Sequence, residues 1–487
     1  MCRGWQAGSH FQLTVQLIVS GGADFPRMSN SESGKGQGRL KRILVFLRPY
    51  YPLEAGILFI MLLIGALGLI DPLVLKILID DVLIDKNAAL LNVLVLGVAG
   101  LFILRASLNI VTNYLIYYIS QRILFDIRFK LFRHLQGLHI DFFVKTKTGE
   151  IISRVNNDVR RIQSVLTTTL VSLTTDFVTL LAIIAIIIYL DWKLSLISLS
   201  LFPILFLVQL HMGRKIRTKS RVSRDKAAEI VSFFQEVFTS IRVVQSFVRE
   251  RFEASRLIGK SRELINININ VGMFSALAAS VAGIFSALGP VIVIWYGGHQ
   301  VINGALSLGG LVAFYAYLGR LFAPVSRLAR HNVSIQSARA ALDRIFEFLE
   351  IEPQITDNPN SVRLSSVRGH IIFNNVDFYY DPDEPVLNGV SFQVKPKQKV
   401  AIVGESGVGK TTIVNLLCRF YDPVSGSVLI DGNDVRNIKL SSLRNNIGIV
   451  SQDTILFNAT IRENILYGKR RANEEEVREA ASSAYIL

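Results

Sequence analysis

Long apolar runs constrain this chain more than any other feature of its sequence. Six runs with few charged residues lie at about residues 53–79, 90–119, 165–190, 194–211, 271–296 and 308–325. Each approaches or exceeds the roughly 20 residues that a helix needs to cross the hydrocarbon core of a bilayer. Buried helices of a large soluble protein are the alternative, but the stretch 180–190 is apolar on every helical face. The mean hydropathy of +0.39 agrees, so we predict a polytopic α-helical membrane domain with six transmembrane helices.

The positive charge of the chain, +15 at pH 7, is unevenly distributed. Lys and Arg are concentrated in the long connections between the second and third runs and between the fourth and fifth runs, and they are rare in the other three connections. This asymmetry is typical of the cytoplasmic loops of membrane proteins. It explains the basic charge without nucleic acid, which we exclude as a partner. We therefore expect a multi-pass protein of the cell membrane, in contact with lipids and with both termini in the cytoplasm.

The two basic connections are predicted to be helical extensions of the spans. Apolar residues recur at helical spacing in each of them: Leu124, Ile127, Leu131, Leu135 and Leu138 in the first, and Ile230, Phe234, Val237 and Ile241 in the second. Each connection is interrupted, near 138–143 and near 240–244, where a short helix would fit across a stalk. A helical hairpin with purely structural packing is the alternative.

Composition divides the chain into four parts. Residues 1–38 form a tail with a poor secretory signal, which we interpret as a disordered tail or as an over-extended start ahead of Met28. The membrane domain is expected at 39–350, and it opens with a basic amphipathic segment at about 40–48 that suits the membrane interface. The polar segment 351–368 is predicted to be a linker. A soluble domain with strands near 371–373, 390–394 and 428–430, and with Tyr380 in a loop, is predicted at 369–487.

A glycine-rich loop in the soluble domain has the residue pattern of a phosphate-binding loop. It lies between a strand-like segment, 399–403, and a helix-like segment, 412–417. Its glycines let backbone N–H groups turn inward, the ammonium group of Lys410 would reach the β- and γ-phosphates, and the hydroxyl group of Thr411 would bind Mg²⁺. A glycine-rich turn without a ligand is the alternative. The predicted nucleotide-binding residues here are Gly404, Glu405, Ser406, Gly407, Val408, Gly409, Lys410, Thr411 and Thr412.

Several motifs in order resemble those of the ATP-binding cassette (ABC) exporters, in which six membrane helices precede one cassette, as in bacterial lipid and multidrug half-transporters. The matching segments are 149–158, 376–380, 404–411, 451–457 and 460–465. The resemblance implies that Tyr380 stacks on adenine and that Gln452 contacts Mg²⁺ and senses the γ-phosphate. The alternatives are a surface aromatic side chain for Tyr380 and a solvated turn residue for Gln452. The spacing of Thr460 and Glu463 also predicts a capping box at the start of a helix.

Three motifs of this family do not occur in the sequence: the signature motif, the strand that ends in Asp-Glu, and the later His. The resemblance therefore implies an incomplete α/β P-loop NTPase domain. No catalytic residue is present, and the catalytic Glu and the switch His are expected beyond residue 487. We expect this chain alone to bind ATP with Mg²⁺ but not to hydrolyse it.

The resemblance also implies the function. We expect ATP-driven export of an amphipathic or hydrophobic substrate, a lipid or a drug, by a dimer with a second half-transporter, identical or different. A nucleotide-gated channel or regulatory subunit is one alternative, and a degenerate, non-hydrolysing partner is the other. Four basic residues in or beside the spans, Lys76, Arg105, Arg320 and Arg327, are functional candidates or ion-paired side chains.

Overall fold

The computed structural model describes residues 47–452, 455–469 and 471–486. The tail 1–38 and most of the basic segment that precedes the first span lie outside the described residues. The chain forms two compact units. The first contains the described residues up to Arg133 together with Gly149–Glu350, and the second contains His134–Thr148 and the described residues from Ile351 onward.

The first unit is helical. Its α-helices are α1 (Tyr51–Ile77), α2 (Ala88–Gln136), α4 (Thr148–Ser153), α5 (Val159–Ser164), α6 (Leu170–Leu190), α7 (Trp192–Leu199), α8 (Leu201–Thr239), α9 (Ile241–Ser246), α10 (Glu250–Ile302) and α11 (Leu308–Leu349). The short helix α3 (Ile140–Lys145) lies between α2 and α4 in the sequence but belongs to the second unit. π-Helical segments follow α1 at Leu78–Leu83, α4 at Arg154–Asp158 and α5 at Val165–Thr169.

Five continuous helical stretches of the described residues are long and apolar enough to cross a membrane: Arg48–Leu83, Ala88–Gln136, Thr148–Leu190, Glu250–Ile302 and Leu308–Leu349. They contain five of the six predicted spans. The predicted span 194–211 is not one continuous helix, because it is divided at Ser200 between α7 and α8. Pro203 provides the physical reason, since it has no N–H group to donate to the carbonyl group of Leu199.

The apolar surfaces of these helices are largely exposed. The buried share of the most apolar 18-residue window is 0% in α2 and reaches only 44% in α11. Leu96 and Ile103 of α2, for example, are 74% and 69% exposed. Helices of a soluble protein would bury such side chains, whereas hydrocarbon can cover them in a membrane.

Helix α11 forms the centre of the first unit. Phe314, Tyr317, Leu318 and Leu321 are at most 1% exposed and pack in one cluster with residues of α6, α7 and α10. Buried or partly buried ion pairs supplement this packing. Asp71 pairs with Arg105 and Arg320, and Asp176 pairs with Arg327 at 2.7 Å.

Three of the four basic candidates predicted in the spans thus have carboxylate partners, and Lys76 is half-buried. Paired charges of this kind hold helices together where hydrocarbon provides no aqueous solvation.

The predicted stalk extensions are confirmed. Helices α2, α8 and α10 continue well past the apolar runs, and the short helices α3 and α9 occur at the two predicted interruptions. Ile127, Leu131, Leu135 and Leu138 of the first stalk are buried, as their helical spacing predicts. In the second stalk the predicted apolar face is not buried: Phe234 and Ile241 are 38% and 36% exposed, Ile230 and Val237 are half-buried, and the neighbouring Phe233 is buried instead.

The second unit contains an antiparallel sheet with the strand order β2-β1-β3-β4. The strands are β1 (Ile371–Asp381), β2 (Glu384–Val394), β3 (Ser425–Ile430) and β4 (Asn433–Asp434), and the helices are α12 (Lys410–Leu417), α13 (Leu440–Asn445), α14 (Ile461–Leu466) and α15 (Glu474–Ser483). Phe373 and Val428 pair across β1 and β3, and with Val376 and Leu416 they form the core between sheet and helix.

Two local predictions about this unit were wrong. Tyr380 lies in β1, because β1 and β2 form a longer hairpin than the apolar residues alone indicated. The segment 399–403 is not paired as a strand within the described residues, and Val400 and Val403 are 50% and 86% exposed. A buried parallel strand needs neighbours, and the described residues place none beside it.

The segment 351–368, predicted to be a linker, is tied to the second unit by backbone hydrogen bonds. The N–H group of Val362 donates to Asn437 O at 2.8 Å, and that of Lys439 donates to Val362 O at 2.9 Å. The N–H group of Leu440 donates to the Asp357 carboxylate at 2.7 Å. Polar composition therefore marks a segment without a helix or an extended strand, but hydrogen bonds and a bridge between Val362 and Ile438 fix it to the domain.

Candidate nucleotide-binding site

The glycine-rich loop has the backbone conformation that a phosphate cradle requires. Gly404, Gly407 and Gly409 have φ angles of +159°, +92° and +94°. The last two lie in the left-handed region, which a side chain would disfavour. At Gly409 a Cβ atom would also lie 2.8 Å from Leu387 Cδ2 in β2. These angles turn the chain sharply into helix α12, whose N-terminal N–H groups carry partial positive charge.

Lys410 is the first residue of α12, and its ammonium group folds back over the loop. Its Nζ atom donates to the carbonyl oxygens of Gly404 at 2.9 Å and Glu405 at 2.5 Å. The side chain is half-buried, while Glu405, Ser406 and Val408 are exposed. The Lys410 ammonium group is therefore held at the loop. Phosphate oxygens bound there would contact both this charge and the backbone N–H groups of the loop.

The hydroxyl groups of Thr411 and Thr412 have different surroundings. Thr411 is exposed at the start of α12. Thr412 is only 3% exposed, and its Oγ1 atom lies 3.1 Å from the hydroxyl oxygen of Tyr380. Asn415 Nδ2 also donates to the Tyr380 hydroxyl group, at 3.2 Å. Thr412 is thus placed to hold Tyr380 against α12.

The ring of Tyr380 is fixed beside helix α12. It makes edge contacts with Phe378 and Tyr421, with ring centroids 4.9 and 5.1 Å away, and remains 40% exposed. Both contacts and the two hydrogen bonds restrict its rotation. A ring that is oriented and accessible in this way is suited to stack on a planar ligand.

Gln452 lies in an irregular segment between α13 and α14 and is exposed. Among the described residues, no hydrogen bond joins it to the loop 404–411. The structure therefore brings Tyr380 and Thr412 together at the start of α12, where Lys410 also lies, and no described hydrogen bond joins Gln452 to them.

The predicted capping box at α14 is confirmed. The Thr460 Oγ1 atom accepts from the N–H group of Glu463 at 3.2 Å, and the Glu463 carboxylate accepts from the N–H group of Thr460 at 2.9 Å. The backbone N–H group and the hydroxyl group of Thr460 lower the pKa of the Glu463 carboxyl group. A second capping box, at Asn473 and Glu476 of α15, was not predicted from the sequence, although Asn followed by Glu at the third position is a recognisable signal.

The short stalk helix α3 lies near the aromatic residues of the site. Burial raises the pKa of the Tyr421 phenol group, and the charges of Asp141 in α3 and of Tyr380 add to this effect. The hydrogen bond to Asp141 raises the pKa of the Lys145 ammonium group, and the charge of Asp381 in β1 contributes. The charge of Asp141 in α3 therefore acts on Tyr421, whose ring contacts that of Tyr380.

Comparison with known proteins identifies the family. Residues 55–325 match the model for the ABC transporter transmembrane region, and residues 387–486 match the model for the ABC transporter domain. The chain belongs to the ABC transporter family. The second match includes the loop, α12 and α14, so the nucleotide-binding domain of this ABC transporter is the unit that carries the geometry described above.

Relatives of this ABC transporter align with most of its length. "Putative multidrug export ATP-binding/permease protein YgaD" of Bacillus subtilis (strain 168) is 37% identical over 92% of this chain and 78% of its own. An ATP-dependent lipid A-core flippase of Syntrophus aciditrophicus (strain SB) is 35% identical over 91% of this chain and 74% of its own. A solved structure of a bacterial Atm1-family ABC exporter with ATP bound superposes with a TM-score of 0.69 at 26% identity, over 90% of this chain and 77% of that one.

The residues of the loop fit ATP and Mg²⁺. The positive-φ glycines, the Lys410 ammonium group and the N-terminus of α12 form an environment for phosphate oxygens, and the exposed Thr411 hydroxyl group is an oxygen ligand of the kind that Mg²⁺ accepts.

Proposed function

We propose that this chain is the membrane domain and the phosphate-loop part of an ATP-driven exporter of amphipathic or hydrophobic molecules. The observation that carries the proposal is the loop 404–411, with its left-handed glycines and its inward-turned Lys410, in a chain with at least five membrane-length apolar helices. The relatives named for multidrug export and for lipid A-core flipping support the class of substrate.

Each residue of the site has a proposed role. Lys410 and the loop N–H groups bind the β- and γ-phosphates, and Thr411 with Gln452 holds Mg²⁺, which supplies charge neutralisation for the phosphates. Tyr380 stacks on the base. Thr412 orients Tyr380 through its hydroxyl group, which departs from the direct nucleotide contact predicted from the sequence.

We propose that hydrolysis depends on a second chain that supplies a catalytic carboxylate group and an imidazole group. None of the described hydrogen bonds brings a carboxylate or imidazole group to residues 404–411. A second half-transporter of different sequence, which has the signature motif, the Asp-Glu strand and the later His, would supply these groups, whereas a second copy of this chain would not. We expect the chain on its own to bind ATP with Mg²⁺ and to turn it over at a negligible rate.

The proposed organisation has six membrane spans, with 194–211 as the fourth despite its break at Ser200, within a membrane domain of 39–350. The segment 351–368 connects this domain to the nucleotide-binding domain at 369–487. In this arrangement both termini lie in the cytoplasm.

Nucleotide binding by the purified chain tests the proposal. We expect a fluorescent ATP analogue to bind in the presence of Mg²⁺. Lys410→Ala should weaken this binding at least about tenfold, because a charge-assisted hydrogen bond between the ammonium group and a phosphate is worth more than about 1.4 kcal/mol. Lys399→Ala is the matched control, because Lys399 is an exposed lysine in the segment 399–403, just before the loop.

Equal binding by the wild type and Lys410→Ala would contradict the assigned site. ATP turnover by the purified chain that disappears in Lys410→Ala would contradict the dependence on a second chain. The chain and a second half-transporter can also be reconstituted together in vesicles. ATP binding without transport of any substrate in these vesicles would favour a channel, a regulatory subunit or a degenerate partner.

A further inference from the structure

The first unit contains an open pocket of about 420 Å³ between the α4–α6 segment and helix α11. Its described lining residues are Asn157, Arg160, Arg161, Ser164, Val165, Val333, Ser334 and Ser337. This volume falls within the range of small-molecule sites, and the pocket is separate from the glycine-rich loop, which belongs to the other unit.

The lining follows from helical geometry. Arg160, Arg161 and Ser164 lie in α5, where spacings of four and three residues place Ser164 on the same face as both arginines, and Asn157 lies in the π-helical segment before them. Ser334 and Ser337 occupy one face of α11 in the same way. Two π-helical segments, Arg154–Asp158 and Val165–Thr169, bracket the short helix that carries both arginines. π-Helical insertions disturb the regular hydrogen bonding of a helix and are frequent at functional sites.

The pocket is positively charged. Its described lining contains two guanidinium groups and no carboxylate group. The nearest acidic residue in the sequence, Asp158, is buried and accepts two hydrogen bonds from Arg344, at 2.8 and 2.6 Å. Arg161 forms an ion pair with Asp158 at 3.6 Å, longer than the bonds from Arg344, and its side chain remains 55% exposed. Arg160 is exposed and has no ion pair among the described residues. Both charges are therefore available to a ligand.

The pocket also lies where polar and apolar parts of the chain meet. Arg160 and Arg161 precede Val165, the first residue of the apolar run 165–190, and Ser334 and Ser337 follow the apolar run 308–325. A molecule with its headgroup at the arginines would have the exposed apolar surface of the adjoining helices beside its hydrocarbon tail. Guanidinium and hydroxyl groups together are suited to bind the oxygens of a phosphate or carboxylate group.

We propose that this pocket binds the oxyanion headgroup of an amphipathic substrate, through Arg160 and Arg161. The proposal rests on the proposed export function and narrows its substrate class to anionic amphiphiles. It assigns substrate recognition to a site in the stalk region of the membrane domain.

Binding of dodecyl phosphate tests the proposal, with the full chain in nanodiscs of a zwitterionic lipid and without nucleotide. We expect saturable binding of tritiated dodecyl phosphate to the immobilised protein. Arg160→Gln/Arg161→Gln should weaken it at least about tenfold, whereas Arg133→Gln should not change it, since Arg133 is an exposed arginine of α2 that does not line the pocket. Dodecylphosphocholine, which has the same tail, should compete at least about tenfold less well.

Equal binding by the wild type and Arg160→Gln/Arg161→Gln would overturn the proposal, and so would equal competition by dodecylphosphocholine. Inorganic phosphate that competes as well as dodecyl phosphate would replace the amphiphile with a soluble anion and would also overturn it. If the double variant does not fold, Arg160→Gln alone provides the test, because Arg160 is exposed. The measurement omits nucleotide, so its failure is distinguishable from failure of the ATP site.

Discussion

Tyr380 is positioned by its contact with Thr412, a residue far from it in the sequence. The spacing of residues along the chain does not reveal this packing. Thr412 directly follows the loop, so the sequence suggested contact with the nucleotide. In the structure its hydroxyl group lies 3.1 Å from that of Tyr380, which is 32 residues earlier, and the side chain is buried. The position of Tyr380 therefore depends on the pairing of β1 with the rest of the sheet and on its contact with α12.

Replacement of Tyr380 separates its ring from its hydroxyl group. We expect Tyr380→Leu to weaken ATP binding about tenfold, which lies within the range of about 1–3 kcal/mol for stacking between a base and an aromatic ring. Tyr380→Phe should retain affinity within about threefold, because the contacts with Phe378 and Tyr421 still orient the ring. Titration with a fluorescent ATP analogue measures both changes. Equal losses in the two variants would mean that the hydroxyl group, not the ring, supports binding.

At the residue scale, the sequence predicts what depends on neighbours along the chain. The loop 404–411 was predictable because its glycines, Lys410 and Thr411 act within one turn and one helix start. The hydroxyl contact of Thr412 with Tyr380 depends on tertiary packing and was not predictable from spacing. The same holds for Asp71, which pairs with Arg105 and Arg320 from two other helices.

At the scale of elements, the start of α14 is a local feature whose stability can be measured. Thr460→Ala removes the hydroxyl group that accepts from the N–H group of Glu463, and loss of such a cap costs about 1 kcal/mol. We expect amide hydrogen exchange in the first turn of α14 to become about fivefold faster. Arg462→Ala is a matched control in the same turn, since it leaves the capping box intact. An unchanged exchange rate in Thr460→Ala would show that packing alone holds the helix.

The same capping box predicts a dependence on pH. The folded state lowers the pKa of Glu463, so its stabilisation is fully present above the unfolded pKa of about 4.3 and is lost as the pH falls through the folded value. Hydrogen exchange at Thr460 should therefore rise relative to other amides below about pH 4. A Glu463→Gln variant should lack this dependence, because its side chain does not titrate.

Elements were predictable where periodicity and interruption coincide, as at α3 and α9 between the long stalk helices. They were not predictable where the local composition suggests an element whose formation depends on residues elsewhere in the chain. The segment 399–403 has the residues of a buried strand, yet it is exposed and unpaired among the described residues. A strand exists only through its neighbours, whereas a helix satisfies its own backbone hydrogen bonds.

At the scale of the whole molecule, the solvent decides which surfaces are stable. Helix α2 exposes apolar side chains along a window in which 0% of residues are buried, and the polar ion pairs of Asp71 and Asp176 lie between helices. This inverts the pattern of a soluble bundle, in which apolar side chains face inward and charges face water. The apolar runs predicted this arrangement, but the break at Ser200 leaves the number of spans open to experiment.

The side of the membrane on which two exposed residues lie tests the fourth span. Lys193 precedes the run 194–211 and Arg251 lies in the second stalk, and both are exposed. If 194–211 crosses the membrane, the two residues lie on opposite sides. Cys2 and Cys418 are the only cysteines of the chain, and Cys418 is 1% exposed, so a Cys2→Ser background suits labelling with a maleimide.

We expect an impermeant maleimide to label Lys193→Cys in intact cells and to label Arg251→Cys only after the membrane is permeabilised. The reason is the distribution of Lys and Arg, which are abundant on both sides of Arg251 and rare near Lys193. Loops rich in Lys and Arg lie on the cytoplasmic side of the membrane. Labelling of both variants in intact cells, or of neither, would mean that α7 and the start of α8 do not cross. Proline at position 203 would then mark a re-entrant turn, since the Leu199 carbonyl group, which receives no N–H group from Pro203, needs neighbouring groups to satisfy it inside a membrane.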